Sequence, residues 1–192
     1  LGQVAHALAA VHAAPLSSTR QRPIAHWIAE AHRRRTKIAR AEPLLAARAG
    51  ALVETLETLA AQLPPRPLGL IHGDFHPEQV WLHEGRIVLF DFDEFTLGDP
   101  MEDLAEFATK LEGAATPAAL SEAWTRSFVD AYEKVAALNF DRRRLQWHLA
   151  MQQLLQASRA FVFQRPGWRL ELEHRLARAE ALAAELARGE AR

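Results

Sequence analysis

Two stretches of this 192-residue chain concentrate side chains able to do chemistry. One is His72-Gly73-Asp74, with Gln79 five positions beyond the Asp; the other is Asp91-Phe92-Asp93, closing the apolar run IVLF. A buried strand ending in Asp delivers negative charge to the floor of a cleft, and two chemistries begin that way. The carboxylate can attack phosphorus as a nucleophile, or it can hold a metal for phosphate chemistry done by other groups. The second needs a carboxylate to orient and deprotonate an attacking hydroxyl, oxygen ligands for magnesium, and a dry cleft. Asp74 in a loop, the Gln79 amide oxygen and Asp91 across a hairpin supply those oxygens, which suit a hard cation.

The elements that must position these groups are mostly helical. Val4, Leu8 and Val11 recur at helical spacing over residues 1 to 13, and Pro15 ends the pattern. A second helix, 22 to 34, carries Ile24, Trp27 and Ile28 on one side and ends in Arg33, Arg34 and Arg35, read as a solvated terminus favoured by the helix dipole. Leu44, Leu45, Leu52, Leu56 and Leu59 mark a third helix from 43 to 62, broken by LPPRPLG. The pattern then changes. Leu70-Ile71 reads as a short strand, HGDFHPEQ as an irregular loop, and VWL and IVLF as a hairpin around HEGR with Gly85 at the turn. Asp99 as N-cap, Pro100 at the first position and Glu102 reaching back start a helix. Further helices open at Thr116-Pro117, at Asp141 and after Arg165-Pro166-Gly167. Trp124, Phe128, Trp147 and Leu154 fall at core spacing. The expected fold is mainly α with a small β-hairpin element, α+β, as a single domain over 1–192.

Composition narrows the function classes. The chain is 49% hydrophobic and 24% charged with a formal net charge of −1, so no field favours nucleic acid or an anionic membrane. No apolar run approaches the roughly 20 residues a membrane span needs. The absence of cysteine removes disulfides and thiolate zinc sites and fits a cytoplasmic protein. His72, His76 and His83 do not share a helix face, since Gly73 and Pro77 intervene, so a histidine zinc site is not expected.

The nucleophile chemistry is that of haloacid-dehalogenase phosphatases, with Asp-x-Asp-Gly-Thr after a strand. Here Glu94 stands where Gly is needed, the Thr arrives one place late, and the sequence after 100 is helix upon helix rather than a parallel sheet. The metal chemistry has a closer counterpart. LIHGDFHPEQV followed by IVLFDFDEFTLGDPMEDLA resembles the aminoglycoside phosphotransferase and choline kinase-like group, relatives of the protein kinases, in order and in spacing. The opening LGQVAHALAAVHA looks like that group's helix after the hinge between lobes. The resemblance implies a protein kinase-like C-terminal lobe that moves a phosphoryl group from ATP or GTP, with Mg2+, to a hydroxyl of a small molecule such as a sugar, amino alcohol or aminoglycoside. It implies Asp74 as catalytic base, Asp91 and Gln79 as metal ligands and His72 as the brace of the loop. Asp93 becomes a second-shell or direct ligand. Asp99 and Asp103 become structural supports, with Asp103 locking the metal loop from behind. Gln79 departs from the group's usual Asn by one methylene and keeps the amide oxygen.

The expected partners are a nucleotide and a small hydroxyl-bearing substrate, with neither nucleic acid nor membrane. Glu94 and Glu102 are expected at the cleft mouth, meeting substrate or capping. The nine glycines form no phosphate-covering loop and Lys37 lies in helical sequence, so the N-terminal lobe is expected upstream of Leu1, and the chain alone is expected to be inactive or nearly so. The rival expectation is a kinase-like binding module that no longer transfers phosphate.

Overall fold

A computed structural model describes residues 1–112, 117–136, 140–163 and 166–190. In chain order the elements are α1 (Gly2–His12), α2 (Ile24–Ala41), α3 (Ala46–Gln62), β1 (Gly69–Ile71), β2 (Val80–His83), β3 (Arg86–Leu89), β4 (Thr96–Gly98), α4 (Pro100–Leu111), α5 (Ala118–Val135), α6 (Arg142–Phe163) and α7 (Trp168–Ala187). The protein is mostly helical, as expected, with two small β-sheets where a single hairpin element was expected. It divides into two compact units, each assembled from two stretches of sequence: Leu1–Pro23 with Arg66–Asp141, and Ile24–Pro65 with Arg142–Arg192.

The first unit carries the chemistry-bearing loops. β1 pairs antiparallel with β4, Leu70 opposite Leu97, and α1 and α4 pack against β1. α4 begins where Asp99 accepts a hydrogen bond from the Met101 N–H at 3.0 Å, with Pro100 behind it already fixed at helical φ. From Pro100 to Thr109 the helix is buried on every side, so even its polar residues need internal partners. β2 and β3 form the expected hairpin, Val80 opposite Leu89 and His83 opposite Arg86. Its two turn residues, Glu84 (φ 48°) and Gly85 (φ 75°), both take the left-handed conformation that matches strand twist in a tight hairpin.

The second unit is a bundle of α2, α3, α6 and α7. Its core gathers Trp27, Leu52, Leu56, Trp147, Met151, Leu154, Leu176 and Leu182. The Trp147 indole N–H, fully buried on α6, donates to the Leu56 carbonyl on α3 at 2.9 Å, so its polar edge costs nothing on burial.

Several expectations need correction. α2 runs on to Ala41, so Arg33, Arg34 and Arg35 lie within it rather than at its end; Arg34 donates to Glu30 and, at 3.2 Å, to Ser158. Trp124 lies on the outside of α5, 38% exposed, whereas Phe128 from the same helix is in the core. β4 was not expected, being three residues with a terminal glycine and no alternation to read. Thr116 and Arg165, expected at helix starts, lie outside the described residues. Leu44 is 88% exposed in a 3-10 turn (Pro43–Leu45) ahead of α3, whereas Leu56 is fully buried. Leu56→Ala is therefore expected to destabilise by about 2–5 kcal/mol and Leu44→Ala by no more than about 0.5 kcal/mol, measured by urea denaturation.

Candidate active site

The site is built where β1 ends and the hairpin closes. Ile71 is the last strand residue, and the next four differ in what they face. His72 and Gly73 are buried, the Asp74 carboxylate is part-exposed, and Phe75 turns inward to stack on Phe107 of α4 at 5.0 Å. Gly73 takes φ +86°, and any Cβ there would collide with the Glu94 carbonyl, so only glycine fits. The hairpin ladder continues one step past β2, with the Phe90 N–H donating to the Gln79 carbonyl at 3.1 Å. That register sets Gln79 beside Asp91. The Gln79 amide nitrogen donates to Asp91 Oδ2 at 3.1 Å and lies 3.3 Å from His76 Nε2, which in turn is 3.7 Å from Asp74 Oδ2. Three short contacts thus bring Asp74, Gln79 and Asp91 into one neighbourhood. Asp91 itself is in the left-handed region (φ 60°, ψ 63°), an uncommon conformation for a side chain other than glycine and one concentrated at functional sites.

His72 joins the two loops. Its Nε2 faces the Phe90 carbonyl at 2.8 Å, so that nitrogen carries the hydrogen, and the ring lies 4.5 Å from Phe92. Phe90 is therefore gripped at both backbone groups immediately before Asp91.

Asp103 supports the site differently from the expectation. It has no exposed surface, and it locks the Asp74 loop rather than the Asp91 loop: Oδ2 accepts from the His72 N–H at 2.7 Å and Oδ1 from the Gly73 N–H at 2.9 Å. Oδ2 also accepts from His12 Nε2 at 2.9 Å, and His12 Nδ1 meets the Tyr132 hydroxyl at 2.6 Å. Burial alone would raise the Asp103 pKa, but the bond and charge of His12 and the two amides outweigh it and hold the carboxyl below its ordinary 3.8. Burial, then the charge of Asp103, pushes the Tyr132 hydroxyl well above its ordinary range, so it stays a donor. Asp99 caps α4, as expected. Asp93 is exposed, and its carbonyl accepts from Arg20. Glu102 does not reach the cleft mouth: fully buried, it accepts from Arg22 Nη1 at 2.5 Å. Glu94, half exposed, accepts from Arg22 Nη2 at 3.1 Å.

His12 and Arg22 were not singled out in the sequence. A signal existed for His12, which continues the buried stripe of Val4 and Leu8 at one-turn spacing. Arg22 gave none, standing between Gln21 and Pro23 just ahead of α2.

Residues 1–148, which include every residue just described, match the sequence model of the Phosphotransferase enzyme family. The chain belongs to that family. No curated protein matches it. Among solved structures it is similar to choline kinase LicA from Streptococcus pneumoniae, at 18% identity and TM-score 0.66, over 96% of this chain and 63% of that one. It is also similar to a glucosamine kinase in complex with glucosamine, ADP and inorganic phosphate, at 22% identity and TM-score 0.57, over 98% and 53%. The amicoumacin kinase hAmiN, in complex with AMP-PNP, Ca2+ and Ami, matches at 19% identity and TM-score 0.61, over 96% and 58%. The chain thus spans less than two thirds of the length of these kinases. The haloacid-dehalogenase alternative falls with the family assignment and with the sheets, which are antiparallel pairs around one isolated parallel bridge among the described residues.

The donor set at Asp91 and Gln79 fits magnesium. Asp91 and Gln79 offer a carboxylate and an amide oxygen side by side, hard ligands of the kind that cation takes in small number, with substrate phosphates and water completing the shell. Among the described residues no three His, Cys, Asp or Glu side chains cluster as a metal site, and no helix is long and apolar enough to cross a membrane.

Because the Asp103 pKa is lowered on folding, its contribution to stability is complete above the unfolded value and lost as pH falls through the folded one. Wild-type stability is expected to decline below about pH 4, whereas Asp103→Asn starts about 3 kcal/mol lower at neutral pH and shows a shallower acid decline, read by urea denaturation across pH.

Proposed function

We propose that this chain is the C-terminal lobe of a small-molecule kinase, moving the terminal phosphoryl group of ATP or GTP to the hydroxyl of a sugar, amino alcohol or aminoglycoside-like acceptor. The observation that carries the reading is the contact chain Asp74–His76–Gln79–Asp91, which gathers a part-exposed carboxylate and a carboxylate–amide pair on one rim. Residues 1–192 serve as one catalytic module, its nucleotide completed by a lobe encoded upstream. The full-length coverage by kinases of choline, glucosamine and amicoumacin supports an acceptor bearing both an amine and a hydroxyl.

In this reading Asp74 orients the acceptor hydroxyl and takes its proton as the oxygen attacks phosphorus. Its exposure leaves room for the acceptor, while the buried Phe75 beside it keeps the backbone from following the substrate. Asp91 and Gln79 hold magnesium, which neutralises phosphate charge when bound. To serve as a ligand Gln79 would present its amide oxygen and give up the bond its nitrogen makes to Asp91. Asp93, exposed next to the pair, would serve as a second-shell or direct ligand, and His72 fixes the Phe90 carbonyl behind them.

The test is phosphoryl transfer by the intact protein against a panel of amino alcohols and amino sugars. Asp74→Asn is expected to lower kcat by about 10²–10⁴ while nucleotide binding persists, and turnover near the wild-type value would remove Asp74 as the base. Gln79→Ala is expected to shift the magnesium titration to higher concentration, and an unmoved titration ends its role as ligand. Nucleotide binding by the wild type without transfer to any acceptor or to water would make the chain a binding module instead.

A further inference from the structure

Arg22 stands outside the motif residues yet reaches both loops of the site. Its backbone is fixed first. The segment Arg20–Arg22 runs along β4, the Leu97 N–H donating to the Arg20 carbonyl at 3.1 Å and the Arg22 N–H to the Leu97 carbonyl at 2.7 Å. From there the side chain, 14% exposed, enters the first unit. Nη1 donates to the Gly73 carbonyl at 2.7 Å and to Glu102 at 2.5 Å, while Nη2 donates to Glu94 at 3.1 Å. The Gly73 carbonyl belongs to the peptide that carries the Asp74 N–H. With Asp103 on the Gly73 N–H and Arg22 on its carbonyl, the residue before Asp74 is held at both polar groups. Glu94, three residues past Asp91, is held by the same guanidinium.

We infer that Arg22 is a positioning residue: its guanidinium ties the Asp74 loop at Gly73 to the Asp91 loop at Glu94, with buried Glu102 as the anchor, and so fixes the separation of the two carboxylates. This rests on the reading of Asp74 as base and Asp91 as metal ligand. The planar fork is what allows it. An ammonium is a point charge on a flexible stem and does not span three acceptors set in different directions. Glu102, with 1% of its side chain exposed, supplies the counter-charge that lets a guanidinium sit here; burial by itself would lower the Arg22 pKa, but the charge and hydrogen bond of Glu102 raise it. Arg20 works on the outer side of the same turn, donating to the carbonyls of Asp93 and Phe95. The two arginines therefore seat residues 93–95 against the base-bearing loop.

Arg22→Lys keeps a positive charge facing Glu102 but loses the fork. In the intact protein it is expected to lower kcat at least about tenfold with acceptor and nucleotide KM within about twofold, a split that a loss of stability alone does not produce. Amide hydrogen exchange is expected to quicken together in 72–76 and 92–96 and to stay unchanged in α4. The paired variant Arg22→Met with Glu102→Met removes both charges, leaving no lone buried carboxylate, and is expected to reproduce the kcat loss. Exchange that quickens only around residues 20–23 overturns the inference, as does a kcat within about twofold of wild type in both variants. An active wild type killed by Asp74→Asn but indifferent to Arg22→Lys leaves the functional reading standing and the clamp fallen. If the wild type transfers no phosphate, the functional reading fails, and coupled exchange of the two loops still decides whether Arg22 joins them.

Discussion

A carboxylate taken out of water must recover its hydrogen bonds inside the protein, and Asp103 recovers them from the two amides that precede Asp74 and from the His12 ring. That requirement organises the first unit. Asp103 can meet the amides only if α4 starts close under β1, which the Asp99 cap and Pro100 arrange. It can meet His12 only if α1 lies against the same strand, and His12 in turn satisfies Tyr132 from α5. One buried charge thus sets three helices relative to a single loop. The loop thereby holds its backbone in place beneath the Asp74 side chain.

The opposite side of the loop faces a different constraint. Gly73 has no room for a side chain because the Glu94 carbonyl occupies the space, so the two loops touch through backbone. Contacts of that kind hold only if both partners are pinned from outside. His72 pins Phe90 ahead of Asp91, and the arginines at 20 and 22 pin the turn after it. The left-handed Asp91 lies between these two fixed points, which is how an uncommon backbone conformation persists without glycine.

The local parts of this arrangement were legible in the sequence, and the long-range parts were not. Asp74, Gln79 and Asp91 declared themselves because their meaning lies in short spacing: loop, amide, strand end. The hairpin and the α4 cap were equally readable, since turn residues and cap residues act on neighbours. Glu102 was misread because its position in the helix suits a capping role, while its partner Arg22 lies 80 residues away. Asp103 was assigned to the wrong loop for the same reason, its face of α4 being decided by packing against β1 rather than by its neighbours. Trp124 was placed in the core on spacing alone, which identifies an apolar face but not whether anything covers it.

The interleaving of the two units has a consequence for synthesis. During synthesis α1 and Arg22 emerge before their partners: the carboxylates that receive His12 and Arg22 come 91 and 80 residues later, after the whole of α2 and α3. α1 and Arg22 are thus made before those acceptors, while the first half of the second unit is translated. Nor can that half finish, because its remaining helices follow Arg142. Closing such wide loops is entropically slow, so the first unit cannot assemble until α4 has been made, and a nascent polypeptide stalled before α4 holds no part of the site in working order.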